Sequence, residues 1–129
     1  MADAEVGLVI DHVDFPIEAG KVREFAIAVG DPDTESLPLT FATVASHWRD
    51  QAAMVALLGL DIRRVVVGGS EWEYHEPVAV GDRLAGQRVV TDVVVKESGS
   101  TFITLETALH RADGQLAITQ RDTVIELTS

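Results

Sequence analysis

The stretch from Pro38 to Leu60 constrains this chain more than any other, because it is long enough for a central helix and apolar on nearly every face. Its apolar side chains recur at helical spacing, at Phe41, Val44, Ala45, Trp48, Ala52 and Val55. A helix that is apolar nearly all round has to be buried. Thr40 is placed to cap the first turn, and Gly59 is placed to end the helix. We therefore predict one long helix here, at the centre of the fold.

The residues after Leu60 follow the pattern of an antiparallel sheet. Strands are predicted from Arg63 to Tyr74, from Asp82 to Glu97, through Ile103 to Leu109, and from about Gln115 to Leu127. Along the third of these strands Ile103, Leu105 and Leu109 face one way and polar residues face the other. One face of the sheet is therefore covered and the other is in contact with water.

Glycines and short polar runs mark the connections in this sheet. Glu97 to Ser100 predicts one hairpin, and Asp113-Gly114 predicts another with a two-residue turn of positive φ. Gly68 and Gly69 interrupt the first of the strands and predict a bulge or a close approach of backbone to ligand. A change in the phase of the apolar residues predicts a second bulge in the last strand.

A shorter helix is predicted upstream of the central one. Its apolar face consists of Val22, Phe25, Ala26 and Val29. Gly30 is well placed to end it. The loop that follows, Asp31 to Pro38, is polar and rich in turn-forming residues. A loop of this kind between two helices is where we expect a site.

The composition limits the possible functions. A chain of 129 residues with 47% hydrophobic residues predicts one packed domain over residues 1–129. The net charge of −11 argues against a nucleic-acid or anionic-membrane partner, since both require clustered Lys and Arg. The absence of cysteine excludes disulfides and a thiolate nucleophile, and the histidines lack partners at metal-ligand spacing, so no metal site is predicted. We expect a cytoplasmic protein, because the N-terminal residues do not resemble a signal peptide.

Three segments, in order along the chain, resemble one known family. GKVREFAIAVGD at residues 20–31 and PLTF at residues 38–41 are similar to the N-terminal, FAS1-like dehydratase branch of the MaoC-like hydratases and dehydratases. YHEPVAVGDRL at residues 74–84 resembles the entry to the long strands in the same family. The resemblance covers nearly the whole chain. It implies an α+β hotdog fold, in which an antiparallel β-sheet wraps round a long central helix.

The resemblance also implies a chemistry, the addition of water to, or its removal from, an acyl thioester of coenzyme A or acyl carrier protein, with no cofactor. In this chemistry an Asp and a His hold the catalytic water as general acid and base. Backbone N–H groups at the start of the central helix stabilise the enolate oxygen. The substrate-binding residues expected on this basis are Thr40, Phe41, His47, Gly68 and Gly69.

The family's active motif reads Gly-Asp-x-Asn-Pro-aliphatic-His, and the chain departs from it at the decisive position. The matching run extends from Gly30 to Ser36, with Asp31 retained and Ser36 in place of the His. Serine does not exchange a proton near neutral pH as imidazole does. Asp31 is then either the remaining catalytic residue or a turn former. For His47 a core or interface role is expected, and for His75 a structural role.

The sequence therefore predicts a non-catalytic subunit that forms the acyl channel while a second, His-bearing hotdog chain performs the reaction. We expect a homodimer in isolation and a heterodimer with a catalytic MaoC-like subunit, because long strands with open edges tend to pair. Two alternatives stay open. One is a hotdog acyl-CoA thioesterase in which Asp50 activates water, and the other is a non-enzymatic hotdog that binds acyl thioesters.

Overall fold

The computed structural model describes residues 4–38 and 40–128, with only the backbone of residues 46–48. Along this part of the chain the strands are β1 (Val9–Pro16), β2 (Val65–Tyr74), β3 (Arg83–Val95), β4 (Thr101–His110) and β5 (Leu116–Glu126). The α-helices are α1 (Ala19–Val29) and α2 (Gln51–Leu57). A 3-10 helix at Phe41–Trp48, here called the leading helix, precedes α2, and a 3-10 turn at Ile62–Arg64 follows it.

The strands form one antiparallel sheet in the order β1-β3-β4-β5-β2. The strands β1 and β2 are its two edges, and they flank the leading helix and α2 in sequence. The predicted α+β architecture is therefore confirmed, with a helical stretch held against one face of an antiparallel sheet. Both ends of the sheet present unpaired backbone groups along an edge strand.

The central helical stretch differs from the prediction in being interrupted. The leading helix ends at Trp48, and α2 begins after Asp50, whose φ and ψ of −98° and 96° are extended rather than helical. The Asp50 carboxylate accepts a hydrogen bond from the backbone N–H of Ala53 at 3.0 Å, which starts a new helix. The spacing of the apolar residues did not reveal the break. Asp50 caps α2 without changing the helical spacing of the apolar residues on either side of it.

The helical stretch is also buried on one side only. Ala45, Met54 and Leu58 face the sheet, whereas Ala53 and Leu57 are exposed. The expectation of burial on nearly every face is therefore wrong for α2 in the isolated chain. Its outer surface is mostly alanine, which loses little by facing water.

The core consists of two apolar clusters under this stretch. The first packs the leading helix and α1 on the sheet, through residues such as Val22, Phe41 and Leu109. The second packs α2 on the other end of the sheet, through residues such as Leu58 and Ile103. A line of side chains, one from each strand, separates the two clusters.

The connections agree with the sequence prediction except at one bulge and one turn. Gly30 ends α1 with a φ of 77°, and the register of β2 shifts between Val67 and Gly69, so the predicted cap and bulge are confirmed. The bulge predicted in β5 between Ile118 and Ile125 is wrong, because β5 pairs with β4 without a break from Ile118 to Glu126 and Val124, not Ile125, keeps the inward phase of Ile118; the register shifts at Ala117 instead. The predicted two-residue turn at Asp113-Gly114 is wrong, because only Gly114 has positive φ and the connection is three residues long.

Within the described ranges no helix is long and apolar enough to cross a membrane. In the same ranges no group of three or more His, Cys, Asp or Glu is arranged to hold a metal ion. The cytoplasmic location and the lack of a metal site stay predictions.

Candidate functional site

The loop between α1 and the leading helix uses its carboxylates to hold its own backbone. Asp31 accepts a hydrogen bond from the N–H of Asp33 at 3.0 Å. Asp33 in turn accepts from the N–H groups of Glu35 and Ser36 at 3.0 and 3.1 Å. The hydroxyl and N–H of Ser36, together with the N–H of Glu35, lower the pKa of the Asp33 carboxyl. Asp31 thus occupies the turn-forming role that the sequence offered as its alternative.

No imidazole accompanies Asp31 in this loop, because residues 31–40 contain no histidine. His75 lines a shallow pocket of about 250 Å³ together with Leu37 and Pro38. Its Nε2 lies 2.9 Å from the Thr119 hydroxyl, which fixes the ring to β5 in the structural role that was expected. The His47 side chain lies outside the described atoms. A general acid and base pair is therefore not assembled by Asp31 and the histidines whose side chains are described.

The start of the leading helix is occupied by its own hydrogen bonds. The N–H of Phe41 donates to the carbonyl of Pro38 at 3.0 Å, and the N–H of Thr43 donates to Thr40 at 3.1 Å. The tighter turn of a 3-10 helix pairs each N–H with the carbonyl three residues back. These two N–H groups are therefore already bonded in the isolated chain, and stabilisation of an enolate oxygen by the start of this helix stays a prediction.

The predicted substrate-binding residues are dispersed. Phe41 is 1% exposed and stacks on Phe15 with ring centroids 5.9 Å apart, so it belongs to the core. Thr40 is exposed at the loop end. Gly68 and Gly69 lie at the β2 bulge, and a Cβ on Gly68 would come within 2.5 Å of an Ile125 methyl group. These glycines neighbour a cleft without lining it.

That cleft lies between α2 and the sheet, beside the edge strand β2, and has a volume of about 460 Å³. Its apolar walls come mainly from Met54, Val55, Val65, Val66 and Val67. Ligand pockets in proteins usually have volumes of about 300–1,000 Å³. The cleft is therefore large enough for the acyl part of a small ligand.

One polar or aromatic side chain from each strand forms a row across the floor of this region. Strand register pairs Asp11 with Arg88, Arg88 with Thr107, Thr107 with Gln120, and Gln120 with Trp72. Directly paired residues on neighbouring strands point to the same face. These five residues therefore form a line between the two apolar clusters, and we call them the polar row.

Arg88 is the buried cation of the polar row, at 2% exposure. Its Nε and Nη2 both donate to the carboxylate of Asp11, the first at 3.1 Å. Its Nη1 donates to the Gln51 side-chain oxygen on α2, also at 3.1 Å. A bidentate carboxylate contact of this kind neutralises a buried guanidinium and fixes its orientation. Arg88 therefore connects β1, β3 and α2.

Arg49 lies above the row, at the break between the leading helix and α2. Its Nη2 donates to the Thr107 hydroxyl at 2.8 Å. Burial, reinforced by the nearby charge of Arg88, lowers the pKa of Arg49 to about 10. Arg49 is still a cation at neutral pH, yet among the described residues it forms no ion pair.

Three buried polar atoms of the cleft have no hydrogen-bond partner among the described residues. They are Arg49 Nε, Trp72 Nε1 and Gln120 Oε1, and all three residues line the cleft. Gln120 is only 6% exposed. Buried polar atoms in folded proteins are almost always hydrogen-bonded. The residues that line the cleft therefore carry two unused donors and one unused acceptor.

The sequence reasoning missed the polar row, although a signal was available. Thr107 continues the inward phase of Ile103, Leu105 and Leu109. Arg88 occupies the inward phase of Leu84 and Val90 in the same way. A polar residue at a strand position that faces the same way as buried apolar residues indicates a buried polar group.

Asp50, the residue expected in the thioesterase alternative, does not line the cleft. Its carboxylate caps α2 through the N–H of Ala53. The capping contact accounts for an Asp at this position without catalysis. Whether Asp50 also activates water stays a prediction.

Comparison with known proteins gives the chain a family and a fold. The family model described as "FAS1-like, dehydratase domain region" matches residues 4–120. A UPF0336 protein of Saccharopolyspora erythraea is 34% identical over 103 residues, which are 79% of this chain and 65% of that protein. The chain thus aligns with less than two thirds of the length of this relative.

Solved structures support the same fold. The HadBC (3R-hydroxyacyl-ACP dehydratase) complex of Mycobacterium tuberculosis gives a TM-score of 0.72 at 20% identity, covering 95% of this chain and 98% of that chain. An (R)-hydratase from A. caviae involved in PHA biosynthesis gives a TM-score of 0.61 at 24% identity, covering 98% of each chain. The predicted hotdog fold is therefore confirmed.

Proposed function

The chain belongs to the FAS1-like dehydratase-region family, and on that premise we propose that it is the non-catalytic subunit of a MaoC-like (R)-specific enoyl-thioester hydratase or 3-hydroxyacyl-thioester dehydratase. It would form the acyl channel, and a second, His-bearing hotdog chain would carry out the hydration or dehydration. The substrate would be an acyl thioester of coenzyme A or acyl carrier protein, and no cofactor would take part.

The observation that carries this proposal is the loop from Asp31 to Ser36. General acid and base catalysis requires a group that takes up and releases a proton near neutral pH, and the family uses a His for it. Here Ser36 occupies that place, and the carboxylates of Asp31 and Asp33 accept hydrogen bonds from the loop backbone. The family frame is retained, whereas the proton-transferring side chain is absent.

Pairing with another chain is supported by the edge strand β2. Val66 and Val67 on this strand are 44% and 69% exposed. The other edge, β1, ends at Pro16, which has no N–H to donate to an added strand. HadBC, one of the solved structures of similar fold, is described as a complex. We therefore propose that β2 forms the dimer interface, with the cleft beside it.

The test is a reconstitution with trans-2-enoyl-CoA as substrate. The purified chain alone is expected to hydrate it no faster than buffer, and the chain co-expressed with its His-bearing partner is expected to do so at ordinary enzyme rates. A control complex in which the partner's motif His is replaced by Ala should be inactive. Hydration by the isolated chain at enzyme rates would overturn the subunit assignment.

A Ser36→His variant supplies a sharper control. If the imidazole alone were missing, this substitution would create activity in the isolated chain. We expect none, because the Asp31 carboxylate accepts the N–H of Asp33 and the N–H groups of Phe41 and Thr43 are already bonded. Substantial activity in Ser36→His would show that the rest of the catalytic site is intact.

A further inference from the structure

We propose that the cleft beside β2 takes an acyl group that ends in a carboxylate, which Arg49 and Trp72 bind. The inference rests on the proposed function, in which this cleft receives the acyl part of a thioester, and it specifies the class of acyl group. A plain hydrocarbon chain would form no hydrogen bond with any of the three unpartnered polar atoms of the residues that line the cleft.

The first argument is hydrogen bonding. Arg49 Nε and Trp72 Nε1 are both donors, and both are buried and unused. A carboxylate has two oxygens, each able to accept from one of these donors. An apolar chain end would leave both buried donors unsatisfied, whereas a carboxylate would supply the missing acceptors. The donor pair therefore matches a carboxylate and not a methyl group.

The second argument is charge. Arg88 is neutralised by Asp11, whereas the partner of Arg49 is the neutral Thr107 hydroxyl. The remaining acidic residue of the cleft, Asp122, accepts from Ser70 Oγ at 2.7 Å and from Gln120 Nε2 at 3.4 Å. Arg49 is thus a partly buried cation with no carboxylate at ion-pair distance among the described residues, and the charges of Asp11 and Asp122 act on it from farther away. Buried charges in proteins are normally paired, and a ligand carboxylate would pair this one.

The third argument is placement. Trp72 and Gln120 are direct partners on β2 and β5, and Thr107, to which Arg49 donates, is the direct partner of Gln120 on β4. The three unpartnered atoms therefore belong to neighbouring positions and not to separate sites. The Gln120 oxygen, an acceptor, is left for a hydroxyl group of the ligand or for a retained water molecule.

The experiment uses two probes of equal chain length, an ω-carboxyacyl pantetheine thioester and its methyl ester. Their dissociation constants are measured by calorimetry with the full chain. The wild type is expected to bind the carboxylate roughly 10- to 100-fold more tightly than the ester, the range of one to two charge-assisted hydrogen bonds. Equal binding of the two probes would overturn the inference and leave the proposed function standing.

Two variants assign the preference to its residues. Arg49→Met is expected to bind both probes alike, and Trp72→Phe, which keeps a ring and loses the N–H, is expected to lose several-fold of the preference. Arg63→Met is the matched control, since it removes the same charge from a side chain that is 85% exposed. The control should retain the wild-type preference, and a preference that survives in Arg49→Met would overturn the inference.

The remaining outcomes are also decisive. Arg49→Met should fold, because it removes a desolvated guanidinium that lies near a second one. The inference would be overturned if the wild type bound neither probe. It would also be overturned by a crystal structure with the bound carboxylate probe in which Arg49 Nε and Trp72 Nε1 contact only water. The proposed function would then be judged separately by the reconstitution with the partner chain.

Discussion

Arg49 and Thr107 are 58 positions apart in the sequence, and Arg49 Nη2 donates to Thr107 Oγ1 at 2.8 Å. The contact brings the break in the central helical stretch directly over the middle strand of the sheet, on the polar row. A helical stretch packed only through apolar contacts would place no charge there. The helix break, the polar row and the cleft are therefore parts of one arrangement.

The Arg88–Asp11 pair should be important for stability. Asp11→Asn leaves a guanidinium that is 2% exposed without a counter-charge, and removal of one partner of a buried pair costs about 3–5 kcal/mol. We expect the free energy of unfolding in urea to fall by roughly 3 kcal/mol. Asp14→Asn, which breaks the exposed Arg83–Asp14 pair on the same two strands, is the control and should cost about 0–1 kcal/mol. Equal losses would contradict the account of the polar row.

Gly86 is required by a close approach of backbone. A Cβ at this position would lie 1.9 Å from the Ala108 carbonyl oxygen on β4, a distance at which the strands have to separate. We expect Gly86→Ala to lower the stability by several kcal/mol, about 3 or more, or to prevent folding. Gly20→Ala on α1 is the control, since nothing lies within 4 Å of its Cβ. It should raise the stability by roughly 0.5–1 kcal/mol, and urea unfolding measures both.

Asp61 should contribute to the loss of stability in acid. Hydrogen bonds from the Arg63 side chain, and then from its backbone N–H, lower the pKa of Asp61 from 3.8 to about 2. A carboxyl group whose pKa is lower in the folded state stabilises it above the unfolded pKa, and the contribution disappears as the pH falls from about 4 to 2.

The stability difference between wild type and Asp61→Asn, measured by urea unfolding, should therefore shrink over this range of pH. Arg63→Met removes the main cause of the shift and should show the same convergence. A difference that stays constant down to pH 2 would refute the assignment.

Val67 tests the proposed interface. It is 69% exposed on the edge strand β2, whereas Val95 at the end of β3 is exposed to nearly the same degree, 67%. Val67→Lys should convert the proposed dimer to a 13.9 kDa monomer, because it places a charge in an apolar contact, and Val95→Lys should remain dimeric. Sedimentation at micromolar concentration measures the change. A wild-type monomer, or a dimer unaffected by Val67→Lys, would reject the β2 interface.

Substitutions of Asp50 distinguish a helix-capping role from a catalytic role. Asn caps helices as well as Asp does, so Asp50→Asn should keep the wild-type stability, whereas Asp50→Ala should lose about 0.5–2 kcal/mol. Neither variant should change the hydration rate of the reconstituted complex more than a few-fold. Hydrolysis of a saturated acyl-CoA by the isolated wild type that falls roughly 10²- to 10⁴-fold in Asp50→Asn would instead establish the thioesterase alternative.

Local patterns in the sequence determined most of the fold. The spacing of Val22, Phe25 and Ala26 located α1, and Gly30 located its end, because helix periodicity and left-handed caps depend on neighbouring residues only. The alternation in the later strands located β3 to β5 to within a few residues. The substitution of Ser36 for the motif His was visible in the sequence alone, and it carries the proposed function.

Only the tertiary structure decided where the buried polar groups meet. Arg88, Thr107 and Gln120 are far apart in the sequence, and strand register alone aligns them with Asp11 and Trp72. Register results from pairing between segments far apart in the chain, which no local pattern encodes. The break at Asp50 has the same origin, since a long helix and two short ones differ little in local preference, and contacts with the polar row distinguish them.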